Sequence, residues 1–293
     1  MNEFSPSLAA LLGLLEGLTE YLPVSSTGHL ILFGHMLGFN GDLAITVEIC
    51  IQLGAVLAVV VYEREKIKAM VSQAFRQQQE LLRPPVSGGE IAQLSWRTRL
   101  ERSSRQHHQL WFIFGLGAAF LPAAIVGLLA HDWVEAQLFS PKVVAVSLIL
   151  GGVIIFIVET FPRVVQISTL ESIPFRSAIG VGIAQCVALI PGMSRSGSTI
   201  VGGLLLGLDR KVATEFSFFL ALPTMFAATG YKLLQSLHLF SADDAFALVI
   251  GMLVSFIVAW VVIASFLTYV KRHTLKVFAY YRILLGVILL AVL

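Results

Sequence analysis

EGLTEYLPVSSTGHL, Glu16 to Leu30, sets two carboxylates and a run of hydroxyls in the middle of an otherwise apolar stretch from Leu8 to Gly38. Glu16 and Glu20 are four apart and share one face of an entering helix. Pro23 is expected to end that helix, and Ser25, Ser26 and Thr27 to stand at the start of the next, where hydroxyls cap free N–H groups. A second stretch, Ser177 to Gly207, is apolar and broken in the same manner by PGMSRSGST, Pro191 to Thr199.

The surroundings of these breaks are too apolar for a water-soluble domain. Of 293 residues 57% are hydrophobic and only 13% charged, with a mean hydropathy of +0.84, against roughly 25% charged in soluble domains. Plain apolar runs near 43–62, 109–130, 141–160, 212–233, 245–270 and 277–293 have the length a helix needs to cross about 30 Å of hydrocarbon. They read as six full spans of an all-α polytopic membrane protein, a single membrane domain over 1–293. The N-terminus carries no cleavable leader pattern and is expected to be retained. Cys50 and Cys186 lie in apolar runs and belong to no CxxC, so they are expected to be packing residues, with neither disulfide nor zinc site.

Charge sets the orientation. The only long polar segment, the loop 63–108, holds Arg64, Lys66, Lys68, Arg76, Arg83, Arg97, Arg99, Arg102 and Arg105, which makes it cytoplasmic. Threading six spans from there puts His131 to Glu135 outside, Arg163 to Arg176 inside, Arg210 and Lys211 inside, Asp243 and Asp244 outside, and Lys271, Arg272 and Lys276 inside. The Gln-rich, Pro-Pro stretch from Gln77 to Gly89 reads as a solvated, partly helical linker without a catalytic role.

Comparison of the chain with itself at an offset of 169 aligns Gly13 with Gly182, Glu16 with Gln185, Ser25 with Ser194, Gly28 with Gly197, Gly34 with Gly203 and Gly38 with Gly207. The halves, 1–160 and 175–293, read as duplicates. If each broken segment enters and leaves on one side, three spans separate the copies, and the second copy is inverted. The expected architecture is thus an inverted-topology repeat of six full spans plus two re-entrant helix-break-helix segments that meet near the midplane, as in many transporters. Bare backbone at that depth is tolerated only when buried in protein or lining a wet cavity, so the breaks should line a site.

Intramembrane carboxylates cost several kcal/mol unless paired, protonated or bound to a cation, so Glu16 and Glu20 are candidates for function. Arg195 cannot shed its proton, and its planar fork suits a phosphate or carboxylate. With Ser194, Ser196, Ser198 and Thr199 beside it at a helix N-terminus, it marks an anion site, or else a partner for Glu16 or Glu20. His29 adds a nucleophile, acid/base or ligand. Glu48 and Gln52 repeat the four-residue spacing on the following span and are placed as outer support of the site. Glu215 and Arg282 are expected to form a charge pair between spans of the second half.

At these residues the sequence resembles the undecaprenyl pyrophosphate phosphatase family of bacterial membranes, the bacitracin-resistance phosphatases. The matching motifs are Glu16-Gly-Leu-Thr-Glu20 with Leu22-Pro-Val-Ser-Ser-Thr-Gly-His29, Pro191-Gly-Met-Ser-Arg-Ser-Gly-Ser-Thr199, and Glu48-Ile-Cys-Ile-Gln52-Leu-Gly54. The resemblance spans essentially the whole chain except loop 63–108. It implies hydrolysis of undecaprenyl diphosphate to undecaprenyl phosphate and inorganic phosphate, recycling the carrier for cell-wall synthesis. It further implies help from a divalent cation, residence in the bacterial inner membrane and a site open to the periplasm. Carried over by position, Glu16, Glu20, Ser26, His29 and Arg195 match the family's functional residues.

Phosphoryl transfer is mainly positioning and charge neutralisation. On this basis Arg195, with Ser25, Thr27, Ser194, Ser196 and Thr199, is expected to hold the diphosphate, and Glu16 and Glu20 to hold Mg²⁺ or Ca²⁺. Ser26 is the favoured nucleophile, activated by Glu20 or His29; His29 itself and water are the alternatives. The expected partners are the polyprenyl diphosphate and membrane lipids, with a homodimer left open and no nucleic acid. The rival class is a transporter or flippase for an anionic polyprenyl lipid, which needs an anion site but no nucleophile beside it.

Overall fold

In a computed structural model, residues 4–39, 41–82, 103, 106–161, 163–236 and 242–292 are described. They form eleven α-helices and no named strand. The first half holds α1 (Pro6–Thr19), α2 (Ser26–Leu37), α3 (Asp42–Tyr62), α4 (Arg64–Leu82), α5 (His108–Leu138) and α6 (Pro141–Thr160). The second holds α7 (Phe175–Gln185), α8 (Arg195–Leu205), α9 (Arg210–Ser236), α10 (Ala242–Val270) and α11 (Lys276–Val292). Among the described residues five helices, α3, α5, α6, α9 and α10, are long and apolar enough to cross a membrane. The sixth expected span is α11, described over 17 residues, at the short end of the range for a crossing helix. Of the expected loop 63–108, the first part is helix α4; Arg83, Arg97, Arg99, Arg102 and Arg105 lie outside the described residues.

Corresponding elements exchange partners. α1 packs along α10, and α7, its counterpart at the 169-residue offset, packs along α5. Both contacts are made by glycine: a methyl on Gly13 would run into the Gly251 carbonyl, and one on Gly182 into the Ala119 carbonyl. Small residues let helix backbones approach where lipid offers no hydrophobic drive for association. α3 meets α9, and α6 meets α11. Cys50 is buried, Cys186 half-buried, and both are free thiols.

α1 does not run to Pro23. Its last intact turn closes with Glu20 N–H on Glu16 O at 2.9 Å, and Glu20 caps it. Pro23 disfavours helical backbone at Leu22 and brings no N–H of its own, so the helix stops several residues earlier. The two breaks then share one device. Ser25 and Ser194 are the only described non-glycine residues with positive φ, at 74° and 71°. Each is an N-cap whose hydroxyl accepts a backbone N–H three residues on, Gly28 at 3.2 Å and Gly197 at 3.1 Å. Left-handed backbone costs an L-residue roughly 1–2 kcal/mol, so something must hold both serines there.

The expected pair Glu215–Arg282 does not form. Glu215 lies near the start of α9 and reaches Lys66 of α4 at 2.9 Å and Lys211 at 3.6 Å. Arg282 is fully buried in α11 and turns to backbone carbonyls instead. Both residues sit on apolar helices, but which neighbour each faces depends on packing between distant elements.

Candidate active site

Ser26 opens α2, Glu20 closes α1 and Arg195 opens α8, so a site assembled from them draws on both halves. The Ser26 hydroxyl donates to Glu20 Oε2. Arg195 Nη2 donates to Glu20 Oε1 at 2.8 Å, and Nη1 to Ser217 O at 2.9 Å. Gln52 Nε2 makes a longer contact of 3.4 Å with Glu20 Oε2. Glu20 therefore joins a hydroxyl, a guanidinium and an amide, at 5% exposure. The Arg195 guanidinium lies 5.8 Å from the Tyr21 ring centre, and its Nε–H is buried without a partner.

Glu20, Ser26, Gln52 and Arg195 line a cleft of about 460 Å³ together with Ser25, Thr27, Ser194 and Glu48. One side of it is apolar, with Ile45, Ile49, Phe120 and Leu128. It extends to Val134 and Phe139 beyond the middle of α5 and to Tyr231 and Lys232 near the end of α9. A polar floor with an apolar flank is the form of a site for an amphiphile with an anionic head.

Glu16 lies behind this surface. It is fully buried, neither carboxylate oxygen has a hydrogen-bond partner, and its charged neighbours are Glu20, Glu48 and Arg195. Carboxyl oxygens without a donor in such a place fit a hard cation, which prefers carboxylate ligands. Among the described residues no three His, Cys, Asp or Glu side chains are gathered as a complete metal site, so protein carboxylates would supply only part of a coordination shell.

The remaining expected residues stand back from the cleft. Ser196 donates to Leu22 O at 2.8 Å, tying one break to the other, and Thr199 sits 2.6 Å from Ser217 Oγ. His29 is buried, with Nδ1 at 2.7 Å from Ser25 O and Nε2 at 2.6 Å from Tyr281 Oη. A carbonyl only accepts, so Nδ1 carries the proton and Nε2 accepts from the Tyr281 hydroxyl. Both ring nitrogens are thereby occupied. Sequence reasoning did not find Ser217, Tyr281 or the carbonyl partners of Arg282; an arginine in an apolar helix was the one signal available for the last.

Comparison with known proteins gives a consistent result. A family model described as bacitracin resistance protein BacA matches residues 9–288. Undecaprenyl-diphosphatase 3 of Acinetobacter baylyi is 46% identical over 294 aligned positions, covering 100% of this chain and 99% of that protein. Undecaprenyl-diphosphatase of Acinetobacter baumannii is 44% identical over 290 positions, with 99% and 96% covered. That of Caldanaerobacter subterraneus subsp. tengcongensis is 44% identical over 283 positions, with 96% and 94% covered.

Proposed function

The chain belongs to the bacitracin resistance protein BacA family, and from that premise we propose that it hydrolyses undecaprenyl diphosphate to undecaprenyl phosphate and inorganic phosphate at the paired breaks. One observation carries the location of the chemistry: a hydroxyl at a helix N-terminus donates to a buried carboxylate that a guanidinium from the other half also grips. A nucleophile with a base in contact and a cation beside it is the arrangement covalent phosphoryl transfer needs.

Ser26 Oγ attacks the terminal phosphorus while its proton passes to Glu20, and the bond from that phosphorus to the bridging oxygen breaks, releasing undecaprenyl phosphate. Water then attacks the phosphoserine, releases inorganic phosphate and returns the hydroxyl. Arg195, which lines the cleft, brings its positive charge to the phosphate, and the N-termini of α2 and α8 add their positive ends. Since both nitrogens of His29 are engaged away from the cleft, Glu20 is favoured over His29 as the activating base.

Glu16 and Glu20 would hold Mg²⁺ or Ca²⁺, and such an ion would supply positive charge to neutralise the phosphates. The polyprenyl chain follows the apolar flank of the cleft. With the basic loop 63–108 cytoplasmic, the end of the cleft at Val134 lies on the opposite, periplasmic face of the bacterial inner membrane. The exchanged packing of α1 and α7, with matching strained serines at both breaks, supports inverted duplication as the origin of this placement.

The test is phosphate release from undecaprenyl diphosphate by the purified protein in detergent with Mg²⁺. Release that disappears in Ser26→Ala supports the reading. Absence of release from the intact protein favours a lipid transporter, and release undiminished in Ser26→Ala overturns Ser26 as nucleophile.

A further inference from the structure

Arg282 is a fully buried guanidinium whose hydrogen bonds all go to backbone carbonyls. Nε donates to Leu148 O at 3.3 Å. Nη1 donates to Pro23 O at 3.2 Å and Met193 O at 3.1 Å, and Nη2 to Ser147 O at 3.3 Å and Gly192 O at 2.9 Å. An arginine has five N–H donors, and here each has an acceptor. Two acceptors belong to α6; the other three belong to the two breaks. Pro23 and Gly192 are equivalent positions at the 169-residue offset, so one guanidinium grips the same point of each repeat.

The space around it is shaped for this head. A methyl on Gly151 would collide with Nη2, and one on Gly197 would lie 3.1 Å from Nη1. Charge-assisted hydrogen bonds are roughly twice as strong as neutral ones, and a fork makes several from one rigid plane.

We propose that Arg282 is a positioning residue that clamps both breaks in register and thereby assembles the Ser26–Glu20–Arg195 contact. The peptide unit is planar and trans, so fixing a carbonyl fixes the N–H on its other side. Holding Pro23 O sets the peptide two residues before Ser25. Holding Gly192 O and Met193 O sets the two peptides that lead into Ser194. Those serines sit at φ 74° and 71°, a conformation that persists only when its surroundings impose it. Each serine directly precedes a residue of the contact, Ser26 and Arg195. A cation that binds only carbonyls also leaves Glu20 free for Arg195, which a carboxylate-seeking arginine at the same depth would contest.

The proposal rests on the reading that the two breaks carry the active site. Its test is steady-state phosphate release by Arg282→Lys, Gly151→Ala and the double variant, each with its melting temperature. Lysine keeps the charge but has three donors and no fork; the alanine methyl pushes the guanidinium without touching either break. For Arg282→Lys, kcat should fall on the order of a hundred-fold, as small displacements of reacting groups do, while KM stays within about threefold because the apolar flank is intact. Gly151→Ala should fall in the same direction, and the double variant should be no slower than the slower single, because both act through one group. Near-normal kcat in folded Arg282→Lys, a loss confined to KM, or independent, multiplying losses would overturn the clamp. If Arg282→Lys does not fold, the kcat of Gly151→Ala decides alone. Arg195→Lys assayed in parallel separates the two ideas: its full activity would remove the site itself, whereas its inactivity beside an active Arg282→Lys would remove only the clamp.

Discussion

Replacing Arg195 by Lys keeps a positive charge at the centre of the site and removes the fork. In the intact protein Nη2 reaches Glu20 at 2.8 Å, Nη1 reaches Ser217 O at 2.9 Å and Ser217 Oγ at 3.3 Å, and the guanidinium so held lines the cleft. One ammonium cannot span Glu20 and Ser217 on two sides and also present a donor to the phosphate. The loss is therefore that of one aimed donor in the transition state, about 10²–10³ in kcat, or roughly 3–4 kcal/mol. Stability should change little, because Lys still neutralises Glu20. Arg195→Ala is a poorer probe, since it strands a carboxylate of 4% side-chain exposure and removing one partner of a buried pair costs about 3–5 kcal/mol. The assay is phosphate release from undecaprenyl diphosphate at saturating substrate, with thermal unfolding in the same detergent. A Lys variant with kcat within about threefold of wild type would refute phosphate holding by the fork, since an aimed donor is worth far more than that.

Other perturbations probe other parts. Ser26→Ala should abolish turnover, and phosphopeptide mass spectrometry of quenched wild-type protein should find the added phosphate on Ser26; its absence at every time point argues for direct attack by water. Glu16→Gln should raise the Mg²⁺ concentration for half-maximal activity on the order of tenfold without lowering the melting temperature, since an amide buried there needs no counter-charge; an unchanged Mg²⁺ titration speaks against metal holding. At Ser25, glycine relieves the positive φ and costs only a few tenths of a kcal/mol as a cap, whereas alanine keeps the strain and loses about 1 kcal/mol of capping. Ser25→Gly should accordingly be the more stable variant by about 1–2 kcal/mol in chemical unfolding, and the reverse order would show that the positive φ holds no strain for glycine to relieve. Gly13→Ala drives a methyl into the Gly251 carbonyl of α10 and should lower the melting temperature, with overpacking of this kind costing roughly 1–3 kcal/mol.

Much of the molecule was legible in one dimension because it depends on local rules. Apolar length marks spans whatever their neighbours. A run of Ser and Thr before a glycine caps a helix, and a glycine after one closes it, as Gly38 and Gly207 do at φ 68° and 86°. The offset of 169 that pairs these positions is a property of the string. So is the four-residue spacing of Glu16 and Glu20, which brings both to one end of α1. Pro23 was misjudged only in reach: it acts on the residues before it, so the helix ended at Thr19.

Tertiary structure decided what distance along the chain hides. Ser196 and Thr199 lie within a motif of which Pro191, Gly192, Ser194 and Arg195 line the cleft, yet both, three apart and so on one face of α8, turn to the interior of the bundle, because packing sets the axial rotation of that helix. His29 was drawn to Tyr281, 252 residues away, and Glu215 to Lys66 rather than Arg282. The fate of Arg282 was the least visible. Backbone carbonyls have no letter in the sequence, and five of them converged on one guanidinium only because α6, α11 and both breaks pack together. The two broken motifs thus announced a site by composition, whereas the alignment of a hydroxyl from one with a guanidinium from the other belongs to the folded chain alone.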